Sequence, residues 1–303
     1  MIGDGYSNIM KAKAYILDGS GYLYRAYHGM PPMVNRDGQP MQMVYGFCKM
    51  MLALLREQPD YFVIVWDTPS KTVRHDADVT YKANRVKMPS DFGDQIKVIH
   101  EIMSQIWLSQ VACPWYEADD VLYSFALHND PSVEYHIYTA DKDIKQVLKD
   151  WVFIQDPMKQ ETRDHMRFQS EYGFTPELMV DYLTLVGDVS DNVPWVAGIG
   201  PKMAQELVSK FGGLWEIYMS LDQLSEKTRN KLVAAQDTVA HSRKMIQLYD
   251  VPALDIAIEH YGYNLDFTQL KAILVTQVGF PSMAKWVDDL KASLVRGMQQ
   301  GLF

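Results

Sequence analysis

Short runs of β-branched and aromatic residues punctuate the first half of this chain, and three of them stop at an aspartate. Residues 14–17 run into Asp18, residues 61–66 into Asp67 and residues 135–140 into Asp141. Such runs predict buried strands, and helical spacing of apolar residues over 41–56, 92–108 and 119–128 predicts the helices that cross between them in a parallel sheet. Residues 151–154 predict a fourth strand. Beyond them the period is helical over 176–186, 201–211, 214–219 and 225–248, with Pro176 and Pro201 placed in first turns. The pattern predicts an α/β half followed by an all-helical half, changing near residue 170. From residue 266 it weakens into one or two amphipathic helices, and the closing GMQQGLF reads as a frayed terminus.

In an open α/β sheet, functional groups collect beyond the carboxyl ends of the strands, where all three aspartates fall. Nearby segments add more carboxylates: Glu117, Asp119 and Asp120 in YEADD, Asp143 in TADKD, and Asp188 and Asp191 in GDVSDN. Each cluster alone has a structural explanation, because acidic residues cap helices and build turns. Their combination points elsewhere, since one sheet edge gathers them. Nine carboxylates in one cleft repel and raise one another's pKa values unless cations neutralise them. Hard oxygen donors without His or Cys favour Mg²⁺ or Mn²⁺ over zinc, and a pair of such ions suits phosphoryl transfer.

Composition changes this picture in detail. The 303 residues are 48% apolar and 22% charged, as in an ordinary globule, with no apolar run of membrane-spanning length and no signal-peptide core at the start, which predicts a cytoplasmic protein. Cys48 and Cys113 lie far apart, suggesting core thiols and neither a zinc site nor a disulfide. A net charge of −9 argues against nucleic acid as a partner until the nine clustered carboxylates, which equal it, are set aside. Residues 68–89, with Lys71, Arg74, Lys82, Arg85 and Lys87, form a basic excursion from the sheet whose plain reading is a solvated loop. Gly198-Ile199-Gly200-Pro201-Lys202 predicts a tight turn opening a helix. Its N–H groups could hold a phosphate with help from Lys202, although a plain helix connection has the same glycines.

With these residues assembled, the chain resembles the 5′ nuclease (5′-3′ exonuclease) domain of bacterial DNA polymerase I, within the flap endonuclease family. The resemblance runs over residues 14–267 and rests on ILDGSGYLYRAYH, VYGFCKMML, VWDTPSKTVRH, YKANR, YEADDVL, TADKDIKQ and GDVSDNVPWVAGIGPKMA. The chain departs from the family's pattern at Trp195, where a glycine is common, and at Met203, where a threonine often stands; neither removes a ligand.

The resemblance implies an α/β fold: a PIN-like, mostly parallel sheet flanked by helices, with a helical arch over about 68–100 in a catalytic domain of residues 1–172. It further implies an all-helical helix-hairpin-helix (H3TH) region over 173–267, leaving 268–303 as tail or linker helices. It implies two Mg²⁺ or Mn²⁺ ions, the first among Asp18, Asp67, Glu117 and Asp119 with Asp120 close by, the second among Asp141, Asp143 and Asp191 with Asp188 assisting. Lys82, with Arg85 alongside, would contact the scissile phosphate. Arg25 and Arg74 would steer the 5′ strand, Tyr81 would support the arch or stack, and a K⁺ ion at Gly198, Gly200 and Lys202 would bridge hairpin carbonyls to DNA. The implied activity is two-metal hydrolysis of DNA near a 5′ end, nick or flap, in replication and repair. The implied setting is a monomer in the bacterial cytosol or nucleoid, alone or joined to a polymerase domain. An RNA-acting PIN-like nuclease and a non-catalytic junction-binding module are the alternatives.

Overall fold

Along β1 (Ala12–Asp18) of the computed structural model, alternate side chains enter different cores: Ala14 and Ile16 one, Tyr15 and Leu17 the other. The structure describes residues 11–85, 88–156 and 161–300, with side chains of the last helix described to residue 295. Together with β2 (Tyr61–Val65), β3 (Ser109–Val111), β4 (Val133–Tyr138), β5 (Val152–Asp156) and β6 (Glu161–Arg163), β1 forms a sheet in the order β3-β2-β1-β4-β5-β6. All neighbours are parallel except β5 and β6. The chain winds outward from β1 to β3 and returns on the other side of β1, so strand order reverses between β1 and β4. A crevice opens at such a switch point. Asp18 ends β1 there, and Asp141 lies just beyond β4.

The face built on Tyr15, Leu17, Phe62 and Ile64 is covered by α1 (Gly19–Gly29), α2 (Gln42–Leu55) and, after the short α3 (Val73–Ala77), by α4 (Phe92–Gln105). Of the segment expected to form the arch, residues 73–77 are helical, 79–84 are turns, and α4 is already a packed sheet helix with Ile99, Ile102 and Met103 buried.

The opposite face carries α5 (Ala118–Leu127) and, after α6 (His165–Tyr172), the helical half: α7 (Met179–Val186), α8 (Pro201–Phe211), α9 (Leu214–Met219), α10 (Glu226–Ala234) and α11 (Gln236–Ile246). Its apolar side chains form one core with Ala14, Ile16, Val63 and Val65, which fixes the helical half against the sheet. The single helix predicted over 225–248 is broken at Ala235 (φ −103°, ψ 10°), with no glycine or proline to mark it. Leu232 before the break and Val239, Met245 and Ile246 after it enter the same core, and that packing sets the turn.

The segment expected as a tail or linker returns to the first half. α12 (Phe267–Lys271) is capped by Asp266, a π-helical turn spans Ala272–Gln277, and α13 (Met283–Gln300) follows. Leu270, Ile273, Leu274, Met283, Val287 and Leu290 are buried in the core of α1, α2 and α4. The last three residues of GMQQGLF lie outside the described residues, while the first four continue α13. Among the described residues no helix is long and apolar enough to cross a membrane. Both cysteines are free thiols, Cys48 buried and Cys113 half-buried.

Candidate active site

Strand ends and helix starts set the carboxylates in place. Asp18 closes β1 and caps α1: its Oδ1 accepts the Gly21 N–H at 2.8 Å, and its Oδ2 accepts the Thr139 hydroxyl at 2.8 Å across the switch point. Gly21 is required there, since a Cβ would stand 2.4 Å from Oδ2. Asp67, just past β2, accepts the Ala118 N–H at 2.8 Å, while its own N–H donates to Ser20 Oγ at 2.9 Å. Glu117 is the N-cap of α5 and Asp119 sits in its first turn. Asp141 accepts the Asp143 N–H at 2.8 Å and donates its own to Thr139 Oγ1 at 3.1 Å. Asp188 and Val193 bond each other's backbones, and Asp188 Oδ1 accepts both the N–H and the hydroxyl of Ser190. That turn carries Asp191.

These groups share one electrostatic field. Burial pushes Asp18 up to about 6 against the hydrogen bonds from Gly21 and Thr139, with Asp67 and Asp141 adding repulsion. Asp119 is raised well above the usual range by desolvation and then by Asp141, Asp18 and Asp67. Asp141 is raised by desolvation, against the Asp143 N–H, with Asp191 and Asp188 repelling it. Asp143 is pushed up to about 8 by burial, then by Asp141 and Asp188. Asp188 moves the other way: the Ser190 and Lys142 contacts outweigh its burial.

The carboxylates line a cleft and do not close into a cage. Among the described residues no group of three or more His, Cys, Asp or Glu side chains is close enough to hold a metal ion. Basic side chains interpose. Lys82 Nζ lies 2.7 Å from Glu117 Oε1 and 3.7 Å from Asp191 Oδ2, Arg85 donates to Asp191 Oδ1 at 2.6 Å, and Lys142 Nζ lies 3.1 Å from Asp188 Oδ2. Tyr81 is buried, with its hydroxyl donating to Glu117 Oε2 at 3.0 Å, so it supports the cleft and does not stack. The donor set still fits a hard divalent cation. It is all oxygen, its charges are desolvated and mutually repelling, and Asp143 Oδ1 is buried with no hydrogen-bond partner.

Two expectations are corrected by geometry. Asp120 is 0% exposed, and its carboxylate is filled by Arg74 Nη1 and Nη2 at 2.7 and 2.8 Å and by the N–H groups of Glu117 and Tyr249, leaving it no place among metal ligands. Arg74, 2% exposed, also donates to the carbonyls of Met245 and Gln247, so it ties α3 to α5 and to the end of α11 and cannot steer a DNA strand. Arg25 is half-buried over the Tyr22 ring, its Nη1 without an acceptor among the described residues.

The hairpin turns at Gly198 (φ +77°), Gly200 caps α8, Pro201 opens it, and Lys202 is exposed in its first turn. Lys231 on α10 donates to the Gly198 carbonyl at 2.6 Å. The Gly198 carbonyl, expected to face a K⁺ ion, thus already accepts from an ammonium. No motif in the sequence singles out Thr139, Lys142 or Lys231. Thr139 and Lys142 flank an aspartate already chosen, but nothing in the spacing couples Lys231 to a turn 33 residues away.

The carboxylates thus gather at the switch point of a mostly parallel sheet, and a helical hairpin unit follows in the chain. The chain belongs to the 5′-3′ exonuclease family: residues 13–173 match its N-terminal resolvase-like domain and residues 174–267 its C-terminal SAM fold. It is 34% identical over 281 residues to the 5′-3′ exonuclease of Aquifex aeolicus, covering 91% of this chain and 95% of that protein. It is 37% identical over 244 residues to the thermostable DNA polymerase I of Thermus thermophilus, covering 80% of this chain and 29% of that longer protein. The fold is similar to that of the T5 D15 protein co-crystallised with metal ions (TM-score 0.66, 17% identity, 93% and 99% of the two chains). It is also similar to the Rad2 catalytic core in complex with DNA substrate (TM-score 0.65, 18% identity, 92% and 93%).

Proposed function

We propose that this chain hydrolyses DNA phosphodiester bonds near 5′ ends, nicks and flaps, using two Mg²⁺ or Mn²⁺ ions held in the switch-point cleft. The observation that carries the reading is the crowding of Asp18, Asp119, Asp141 and Asp143, whose carboxyls are all raised by burial and by repulsion from one another and from Asp67, Asp188 and Asp191. Asp18, Asp67, Glu117 and Asp119 would hold one ion; Asp141, Asp143 and Asp191 the other, with Asp188 steadying the loop. Such a pair, when bound, lowers the pKa of a water and stabilises the leaving oxygen.

The chain's own residues do the rest. Lys82 is half-buried and desolvated, yet Glu117 and Asp191 hold its pKa above the usual lysine value, so it carries a full positive charge into the cleft for a phosphate oxygen. Arg85, half-exposed, can exchange Asp191 for a second phosphate oxygen. At the hairpin, N–H groups and Lys202 would hold duplex backbone without reading bases. Relatives named as 5′-3′ exonuclease and DNA polymerase I support this substrate, as does the fold shared with a metal-bound and a DNA-bound structure. The reading places the enzyme in the bacterial cytosol, as a monomer acting in replication and repair.

A 5′-labelled DNA flap incubated with Mg²⁺ or with EDTA, its products sized, tests the proposal. Cleavage is expected only with the metal, and Asp119→Asn is expected to abolish it while leaving flap binding measurable by anisotropy. Wild-type rates in EDTA, or from Asp119→Asn in saturating Mg²⁺, would overturn the assignment. Preferential cleavage of an RNA flap would redirect it to RNA.

A further inference from the structure

The hairpin already contains a cation. Lys231 Nζ donates to the Gly198 carbonyl at 2.6 Å, and the side chain is seated so closely that a Cβ on Gly198 would stand 2.8 Å from both its Cε and its Nζ. Gly198 is needed for its positive φ, and the tip of the lysine packs against its bare Cα. Among the described residues no ion pair joins Lys231 to a carboxylate, and the Gly198 carbonyl takes one of its three N–H groups. The same side chain borders a cleft of about 430 Å³ with Trp195, Ala197, Asn230 and Thr238, and Trp195 is 55% exposed there.

A monovalent ion shared between a hairpin carbonyl and a phosphate satisfies the carbonyl and offers positive charge to the phosphate. An ammonium on a tether does both and is never diluted away. We propose that Lys231 is the resident cation of the hairpin, holding the Gly198 carbonyl with one N–H and a backbone phosphate of bound duplex with another. Duplex binding by this chain is then independent of K⁺. The inference rests on the DNA reading above and adds to it a phosphate contact on α10, a helix that the sequence motifs do not touch.

The test is anisotropy with the full chain and a labelled blunt duplex lacking a flap, in EDTA, so that the carboxylate cleft is not engaged. KCl, NaCl and N-methylglucamine chloride are compared at equal ionic strength. Wild-type affinity is expected to be the same in all three. Lys231→Met keeps most of the stem and frees the carbonyl. It is expected to weaken binding roughly 10-fold, the loss of one charge-assisted hydrogen bond, and to lower the slope of log affinity against log salt by about 1. It should also become selectively responsive to K⁺, and Lys231→Arg, which keeps the charge, should retain most of the affinity.

Tighter wild-type binding in K⁺ than in Na⁺ would overturn the inference, and so would an unchanged salt slope in a Lys231→Met protein that melts like the parent. If Lys231→Met melts early, the wild-type ion series and Lys231→Arg decide the matter. Wild-type protein that cleaves the flap with Mg²⁺ but shows either contrary result defeats this inference alone. Failure to bind duplex or cleave a flap at all defeats the proposed function with it.

Discussion

Asp120 sits one residue from a proposed ligand, Asp119, yet with its partner Arg74 its chemistry is that of a strut. Both are out of solvent, joined by a two-pronged contact, and the guanidinium also reaches two carbonyls at the end of α11. Removing one member of such a pair strands the other's charge, at a cost of about 3–5 kcal/mol. Arg74→Ala should lower the urea unfolding free energy by about that much. Unchanged stability with weakened 5′-strand binding would return Arg74 to the DNA. Asp143 acts in the opposite sense. Its native pKa, about 8, lies above its ordinary 3.8, so the native state binds its proton more tightly. Its contribution to stability is greatest in acid and is lost as pH rises towards 8. In EDTA, Asp143→Asn should therefore melt a few degrees higher than the parent at pH 8, with the difference shrinking towards pH 5, and should not cleave. A variant less stable than the parent at pH 8 would show that Asp143 is stabilised by something other than a cation.

The loop between α7 and α8 is where element geometry and chemistry meet. Gly187 (φ +66°) turns the chain out of α7, and a Cβ there would stand 2.7 Å from the Val193 carbonyl, inside the backbone pairing that sets Asp188 and Asp191. The basic segment lies on this same loop: the Lys82 N–H bonds the Asp191 carbonyl at 3.0 Å, Asn84 the Val189 carbonyl at 2.7 Å, and Asn192 the Thr80 carbonyl at 2.9 Å. Gly187→Ala should therefore lower kcat for flap cleavage sharply while costing only about 1–3 kcal/mol of stability. Amide exchange should rise over residues 188–193. Gly29→Ala, with open space around the new methyl, is the control, and an equal loss in both variants would break the argument. The sequence showed this loop's aspartates, and it showed β1, β2 and β4 with the carboxylates beyond them, because long apolar runs ending in Asp are local patterns. It did not show β3 and β6, three residues each at or near a sheet edge, nor the break at Ala235, because neither is long enough or marked enough to carry a period. Nor did it show that Asp120 belongs to Arg74, 46 residues away, since acidic residues that bind a cation and those that bind an arginine look alike until the fold pairs them.

At the scale of the molecule, the sheet is held between two cores, and only one of them is completed by the helical half. The other is closed by residues beyond 267, where the family match ends. Gln269 bonds the Gln105 carbonyl at the end of α4, Gln58 bonds the Ser293 carbonyl, and Phe280 meets Tyr45 edge-on at 5.1 Å, so the C-terminal helices touch α2 and α4 directly. Leu17, in the same core, immediately precedes Asp18, so loosening this face should reach the site through β1. Leu290, fully buried on α13, should cost about 2–5 kcal/mol when cut to alanine. Lys271→Ala, which removes an exposed ion pair with Asp288, should cost no more than about 1 kcal/mol. That contrast separates packing from charge. Ending the chain at residue 267 should lower the melting temperature, raise amide exchange in α2 and α4 before α8 and α11, and reduce cleavage through loss of Asp18's support. A truncated chain that melts and cleaves like the parent would make residues 268–303 the linker that their weak periodicity suggested.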